Sequence, residues 1–264
     1  MVKGFRGQRG QFGRPSILRP MTQGMIADGR RRPWGFVLEA IEGWFHPADW
    51  YAFDWLLAGQ EARQMTGDLL ELGTYKGKSA VFLGGYLYEG EKFTVCDLFD
   101  SPAPDSATTT EMRVYYPTLT RQIFEKTYLS FHEKLPVIIQ GASAVIASHV
   151  KPGTCRFVHV DASHLYHHVK ADIETARELL LPDGIIALDD YRSAHTPGVA
   201  AATWEAVLNG GLKPVLLTEF KLYGTWGDAA ALQEPLLQWL ASHRDIWGVA
   251  EDVAGHSLVR MHYR

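Results

Sequence analysis

The sequence predicts an α/β fold, a doubly wound and mostly parallel sheet of seven strands with an antiparallel strand at one edge. From residue 68 onward, short apolar runs typical of buried strands alternate with segments of helical periodicity. Glycines or acidic residues follow several of these runs, where the strands end. Such alternation requires right-handed crossovers between parallel strands, with helices on both faces of the sheet.

The composition indicates one folded domain with an appended arm. The chain has 264 residues, 46% of them hydrophobic, and a net charge of −4, which gives no sign of a nucleic-acid partner. Residues 1–33 contain eight Lys or Arg, one acid and six glycines, too polar a composition to fold alone. We therefore predict a flexible basic arm over 1–33 and a folded domain over 34–264. The alternative is an arm that orders over a partner subunit or over substrate.

The folded domain is predicted to start with helices, because apolar residues recur at helical spacing between Trp34 and Met65. The predicted strands that follow are 68–73, 92–97, 136–140, 156–161 and 184–189. The predicted helices are 77–89, one within the insertion 99–134, then 142–150, 166–181 and 198–209. A turn over 182–184 (Pro-Asp-Gly) is expected to close the helix 166–181.

The last apolar runs, 213–223 and 256–262, are predicted to pair antiparallel at one edge of the sheet, with a helix between them. Cys96 and Cys155 lie in apolar runs and are expected to be buried free thiols. No uninterrupted apolar stretch reaches the length of about 18 residues that a membrane span needs. We therefore expect a cytoplasmic protein without membrane contact.

The first predicted strand runs into a glycine-containing turn, ELGTYKGKS over 71–79. Gly73 and Gly77 let the backbone approach a ligand closely, and Ser79 lies near the first helical turn. The turn lacks the G-x-G-x-x-G pattern that seats a diphosphate, and the acid Glu71 suits a cationic ligand such as a sulfonium amino acid. An ordinary tight loop is the alternative.

The next two strand ends carry candidate nucleoside contacts. Asp97 ends the second strand about 24 residues after Gly73, the spacing of an acid that binds ribose hydroxyls. A solvated strand-end acid is the alternative. After the third strand, Ala142 and Ser143 belong to a small polar turn that could frame an adenine ring.

Three carboxylates follow the fourth and fifth strands: Asp161, Asp189 and Asp190. Clustered carboxylates repel one another unless they are protonated or share a cation, and an all-oxygen set suits Mg²⁺. Adjacent strand residues point to opposite faces, so both Asp189 and Asp190 can be ligands only if the chain bends after Leu188. Otherwise one of the two caps the following loop.

His164 follows Asp161 by three residues and is the first candidate for a general base. An imidazole with an ordinary pKa of about 6.5 accepts a hydroxyl proton at neutral pH. His195, in the loop after the fifth strand, is the second candidate. A surface or capping role for His164 is the alternative.

Together these residues resemble the class I S-adenosylmethionine-dependent methyltransferases, which have a Rossmann-like fold. The resemblance is closest to the metal-dependent sugar and macrolide O-methyltransferases of antibiotic pathways, whose sequence family includes cephalosporin hydroxylase. It covers roughly residues 66–223. Its most specific part is the family pattern Asp-Gly-x-His-x-Tyr, matched by Asp161, His164 and Tyr166 with Ala162 in place of the glycine.

The resemblance implies a role for each residue. S-adenosylmethionine is expected to be held by Glu71, Gly73, Thr74, Tyr75, Gly77, Ser79, Asp97, Ala142 and Ser143. Mg²⁺ is expected on Asp161, Asp189 and Asp190, with Asp161 and His164 as the catalytic residues. The acidic pair after the fifth strand is often Glu-Asp in the family and is Asp-Asp here, so the first side chain has the same charge but is shorter by one methylene.

The implied reaction is methyl transfer to a hydroxyl of a small molecule, of the sugar or polyketide type. The basic arm and the edge strands are expected to support a homo-oligomer. The acceptor is expected to contact the N-terminal segment, the loop 191–198 and the insertion 99–134 through Tyr115, Tyr116 and Phe124. One alternative is a hydroxylase-like oxygenase, which needs two histidines and a carboxylate around iron. The other is a non-catalytic subunit that only binds the cofactor.

Overall fold

The computed structural model describes residues 36–264. The predicted basic arm over 1–33 lies outside the described residues, and so does Trp34 at the start of the predicted helical segment. Among the residues from 36 onward, no helix combines the length and the apolar character needed to cross a bilayer.

Nine strands form one mixed sheet. They are β1 (Asp68–Leu72), β2 (Phe93–Asp97), β3 (Val137–Gln140), β4 (Cys155–Val160), β5 (Leu180–Leu188), β6 (Lys213–Leu217), β7 (Leu222–Thr225), β8 (Ile246–Val253) and β9 (His256–Tyr263). Their order across the sheet is β3-β2-β1-β4-β5-β7-β6-β9-β8. The first five in that order run parallel to their neighbours, and β7 is antiparallel to both β5 and β6.

Helices cover the sheet on both faces. They are α1 (Phe36–Glu39), α2 (Pro47–Ala62), α3 (Lys78–Gly84), α4 (Ser106–Tyr115), α5 (Arg121–Leu129), α6 (Tyr166–Leu179), α7 (Pro197–Leu208) and α8 (Ala230–Ala241), with a 3₁₀ helix at Ser143–Ser148. The predicted α/β class with a mostly parallel sheet is therefore confirmed.

The central strand β4 shows why the sheet needs two helical layers, since every residue of it is buried. Phe157 packs on one face against Phe53 of α2, with ring centroids 5.0 Å apart. Its neighbour Val158 belongs to the core on the other face, together with Ile173 of α6. The sequence over 155–160 is apolar except for Arg156 and His159, which are buried with polar partners: Arg156 with Glu91 and His159 with Glu71.

The far edge of the sheet differs from the prediction. The run 213–223 is two strands, β6 and β7, because Thr218 and Lys221 close a tight turn: the Thr218 N–H donates to the Lys221 carbonyl at 2.9 Å. β9 lies parallel to β6, with Leu216 opposite Val259, so the predicted antiparallel pairing of 213–223 with 256–262 is wrong. The antiparallel partner of β9 is β8, which the sequence pattern did not predict. The division of 213–223 into two strands and the addition of β8 raise the strand count from the predicted seven to nine.

Two smaller boundaries also differ. The predicted turn over 182–184 lies inside β5, where the register with β4 jumps from Cys155–Leu180 to Phe157–Ile185. The three residues bulge out of the ladder, so the Pro-Asp-Gly sequence kinks a strand instead of preceding it. The insertion 99–134 holds two helices, α4 and α5, where the sequence predicted one. Cys96 and Cys155 are buried free thiols, as predicted.

Candidate active site

A cavity of about 430 Å³ opens at the carboxyl ends of β1, β2, β4 and β5. This is the edge at which ligands bind in open α/β sheets, and the volume lies within the range of small-molecule sites. The predicted site residues that line it are Gly73, Thr74, Tyr75, Ser79, Asp97, Ala142, Ser143, Asp161, His164, Asp189 and Asp190. Glu71 and Gly77 lie behind this lining.

The turn after β1 is shaped by close contact with β4. Gly73 has φ +78°, and a Cβ there would come within 2.0 Å of the Asp161 carbonyl oxygen. The Asp161 N–H donates to the Leu72 carbonyl at 2.7 Å, which joins the two strand ends. Only glycine fits at position 73, and its presence lets the β1 turn lie directly against Asp161, so that both line the cavity.

Asp97 holds the same turn from the β2 side. Its Oδ2 accepts from the N–H groups of Thr74 at 2.7 Å and Tyr75 at 3.0 Å. Its Oδ1 accepts from the Phe99 N–H at 2.7 Å. Within residues 36–264 Oδ1 has no other donor, so an acceptor position remains for a ligand hydroxyl at the cavity wall.

The two adjacent acids after β5 both reach the cavity because the chain bends where the strand ends. The Asp189 N–H makes a last ladder bond to the Val160 carbonyl at 3.0 Å. Asp190 then takes a left-handed conformation with φ +57°, and its N–H donates to Asp189 Oδ1 at 2.8 Å. A short polar residue tolerates this conformation, and both carboxylates line the cavity.

The three carboxylates nevertheless separate into two neighbouring clusters. One oxygen each of Asp161 and Asp189 lies within 4.8 Å of a ring nitrogen of His159. Asp190 forms a second cluster of the same size with His164 and His195. Burial and the Asp189 charge raise the pKa of Asp161 well above its usual range, although the positive charge of Lys221 acts in the opposite direction.

His164 lies between two carboxylates. Its Nδ1 is 2.5 Å from Glu111 Oε1, and its Nε2 is 3.1 Å from Asp190 Oδ2. Burial works to lower the pKa of His164, but the hydrogen bonds to Asp190 and Glu111 raise it to about 9. Burial opposes ionisation of Asp190 as well, yet the hydrogen bonds from His164 and Ser193 lower its pKa to about 2.

A buried lysine supports Asp189 from behind the cavity. The Lys221 ammonium pairs with Asp189 Oδ2, although Lys221 is only 1% exposed. Burial works to lower the pKa of Lys221, but Asp189, Asp161 and Asp49 hold it above the ordinary value for lysine. Lys221 thus remains a cation in the protein interior.

Glu71 has a structural partner in place of a cavity contact. Its Oε1 is 2.8 Å from Nδ1 of His159, and both side chains are fully buried. Burial raises the pKa of Glu71 to about 8 and lowers that of His159 well below its ordinary value. The pair is therefore neutral in the interior, and Glu71 can affect a bound ligand only through its neighbours.

Aromatic rings frame the mouth of the cavity. Trp44 is 61% exposed, and its ring centroid is 5.3 Å from that of Tyr75 and 6.2 Å from that of Tyr116. Tyr115, also lining the cavity, continues the group. Phe124, which the sequence placed with the acceptor contacts, is instead fully buried and would clash with a Cβ at Gly77.

Sequence reasoning missed Glu111, His159 and Lys221. Glu111 is one of several acids in the insertion, and nothing in its neighbourhood singles it out. His159 and Lys221 carry a usable signal, since each is a charged or polar residue within an apolar strand run. A buried polar residue of this kind needs a partner, and that requirement points to a site.

Comparison with known proteins agrees with this geometry. Residues 70–191 match the sequence profile of a family described as "Methyltransferase domain". The matched segment runs from β1 to the bend after β5. A comparison with curated protein sequences found no match.

Several solved methyltransferase structures are similar to this chain, and NovP shares its fold. The O-methyltransferase NovP is 14% identical, with a TM-score of 0.55 over 69% of this chain and 80% of that one. CalS11, a TDP-rhamnose 3'-O-methyltransferase of calicheamicin biosynthesis, is 18% identical, with a TM-score of 0.47 over 68% of this chain and 79% of that one. MycE of the mycinamycin pathway, solved with Mg and SAH, is 16% identical, with a TM-score of 0.49 over 76% of this chain and 56% of that one.

Proposed function

We propose that this chain, whose residues 70–191 match a methyltransferase profile, transfers a methyl group from S-adenosylmethionine to a hydroxyl oxygen of a small molecule. The observation that carries the proposal is one cavity with two functional walls. The β1 turn and Asp97 form the first wall, and His164 with Glu111 and Asp190 forms the second. A bound donor and acceptor would meet between them.

The first wall fits S-adenosylmethionine in shape and charge. The turn around Gly73 presents backbone close to the cavity, and Asp97 Oδ1 keeps an acceptor position for a ribose hydroxyl. Carboxylates dominate the charged lining, which favours a sulfonium cation over a diphosphate. Ser143, which also hydrogen-bonds Asp172, lies where an adenine ring would be framed.

The second wall offers Mg²⁺ an all-oxygen donor set. Asp161, Asp189 and Asp190 all line the cavity, and the bend after Leu188 turns both members of the acidic pair toward it. These residues would hold the metal. S-adenosylmethionine supplies the methyl group, and a divalent metal supplies positive charge that lowers the pKa of a nearby hydroxyl.

His164 acts as the base that receives the acceptor proton. Its Nδ1 is committed to Glu111, so Nε2 is the nitrogen that faces Asp190 and the acceptor side. With a pKa raised to about 9, His164 is mostly protonated at neutral pH, and it becomes a base when positive charge neutralises Asp190. Glu111 keeps the ring oriented and stabilises the imidazolium that results from proton transfer.

The aromatic residues at the mouth define the acceptor side. Trp44, Tyr115 and Tyr116 present flat apolar faces that would stack on a sugar or polyketide ring. These residues would hold the acceptor ring so that its hydroxyl lies between His164 and the methyl group. Such positioning accounts for much of the rate enhancement in transfers of this kind. A homo-oligomer remains a prediction from the sequence.

The proposal is tested by calorimetric titration of the purified chain with S-adenosylmethionine, with and without Mg²⁺. We expect micromolar binding that is lost in Asp97→Ala and kept in Asp100→Ala, since Asp100 is exposed and bonds Gln140 instead of the β1 turn. Thermal melting of both variants checks that they fold. Binding then justifies a screen of hydroxylated acceptors for a gain of one methyl in mass. No binding by the wild type would overturn the proposal.

One cluster favours a second candidate function. His164, His195 and Asp190 place two ring nitrogens and a carboxylate oxygen within 4.8 Å of one another. Two histidines and one carboxylate are the ligand set of many iron oxygenases. The same calorimetry distinguishes the two, because an oxygenase of this kind is expected to bind 2-oxoglutarate with Fe²⁺ and to leave S-adenosylmethionine unbound.

A further inference from the structure

The buried ammonium of Lys221 lies against one of the carboxylates that we assign to the metal. It contacts Asp189 Oδ2 from behind the cavity lining. The other oxygen of Asp189 accepts from the Asp190 N–H at 2.8 Å. Both oxygens of Asp189 are thus engaged by groups of the chain itself.

Lys221 is held firmly in this place. Its N–H donates to Thr218 Oγ1 at 2.9 Å within the turn between β6 and β7. The Thr218 hydroxyl in turn donates to Asp49 Oδ1 at 2.6 Å, and the Tyr223 hydroxyl donates to the same oxygen at 2.8 Å. Asp49 of α2 thereby ties the turn to the helical layer and fixes the lysine stem.

The Lys221 ammonium would oppose the binding of a divalent cation at Asp189 in two ways. The metal and the ammonium compete for the same carboxylate oxygen. They also repel each other across a medium that screens charge far less than water does. Burial makes the lysine costly to displace into solvent, since its side chain is 1% exposed.

We propose that Lys221 is the resident cation of the Asp161–Asp189 pair and that it weakens divalent-metal binding at this site. The inference rests on the proposed function, because it concerns the metal assigned there. It makes Lys221 a positioning residue, which orients Asp189 and sets the metal affinity without reaching the substrate. Removing the ammonium frees Asp189 Oδ2 and removes the repulsion, so the metal should bind more tightly.

The test uses Mn²⁺ as the probe, titrated into chelator-treated protein and followed by the loss of the free-ion signal in electron paramagnetic resonance. We expect Lys221→Met to bind Mn²⁺ at least about tenfold more tightly than the wild type. Lys213→Met is the matched control, because its ammonium is on the same sheet but bonds the Gly227 carbonyl at the surface. Equal or weaker binding in Lys221→Met, including no binding at all, would overturn the inference.

Lys221→Met leaves Asp49 and Asp189 buried without their cation, so folding needs its own check. The double variant Lys221→Met/Asp49→Asn removes one charge of each sign, and the asparagine oxygen can still accept from Thr218 and Tyr223. We expect the double variant to bind Mn²⁺ more tightly than Asp49→Asn alone, and equal affinities would contradict the role of Lys221.

S-adenosylmethionine binding distinguishes a failure of the Lys221 inference from a failure of the proposed function. If the cofactor binds while Mn²⁺ affinity is unmoved, only the role of Lys221 fails; if the cofactor does not bind, the proposed function fails.

Discussion

Nδ1 of His164 lies 2.5 Å from Oε1 of Glu111, a residue 53 positions earlier in the chain (164 − 111) on helix α4 of the insertion. The contact fixes which ring nitrogen remains for chemistry. It also places a negative charge behind the imidazole, as in the carboxylate–histidine pairs that orient bases and metal ligands. The insertion therefore contributes to the base as well as to the acceptor side of the cavity.

The first prediction concerns the protonation of His164. In Glu111→Gln the imidazolium loses a negative partner, so its pKa should fall from about 9 by roughly one unit. The neutral imidazole of His164 then forms at a lower pH in Glu111→Gln than in the wild type. Nitrogen-15 NMR titration of metal-free protein measures this directly. Glu125→Gln is the control, because Glu125 pairs with Arg121 on α5; a His164 pKa that stays unchanged in Glu111→Gln would refute the pairing.

The second prediction concerns turnover. His164→Ala should lower turnover about 10²- to 10⁴-fold, the usual contribution of a positioned general base. Cofactor affinity should be unchanged, since His164 pairs with Glu111 and Asp190 and not with the β1 turn or Asp97. Turnover is measured on the acceptor found by screening, and cofactor affinity by calorimetry. His167→Ala, three residues on and exposed, should keep full activity. Full activity in His164→Ala would remove this residue from the mechanism.

The third prediction concerns stability. Gly73→Ala places a Cβ within 2.0 Å of the Asp161 carbonyl oxygen, so β1 and β4 must separate. We expect a loss of about 3 kcal/mol or more in the free energy of unfolding. Gly90→Ala is matched in backbone, with φ +89° but nothing within 4 Å, and should cost about 1 kcal/mol. Urea denaturation measures both; equal losses would show that the contact with Asp161 is unimportant.

The fourth prediction concerns the acceptor. Trp44→Ala should raise the KM for the acceptor on the order of tenfold, the value of one aromatic stacking contact. Cofactor affinity should stay the same, because Trp44 contacts Tyr75 and Tyr116 through their rings at the cavity mouth. Steady-state kinetics with varied acceptor gives the result. Trp247→Ala, an exposed tryptophan on β8 stacked against His262, serves as control and should leave KM unaltered.

Much of the fold follows from local pattern. The run 155–160 is buried at every position, and its mostly apolar sequence together with the α/β alternation around it predicts a parallel strand. The division of the run 213–223 into two strands was harder to predict, because the run contains no glycine or proline at its turn. Thr218 and Lys221 reverse the chain through their own hydrogen bonds. The pairing of β6 with β9 joins segments that are separated by β7, α8 and β8, so no local pattern predicts it.

The sequence by itself determined which residues end the parallel strands, and therefore which predicted groups share a cavity. Gly73, Asp97, Asp161 and Asp189 meet there because parallel strands bring their carboxyl ends to one edge. Only the tertiary structure decided what each group faces. Glu111 and Lys221 come from an insertion and a turn whose paths depend on packing far along the chain. Their charges decide the protonation of His164 and the partner of Asp189, because buried charges act through distance in space and not through spacing in sequence.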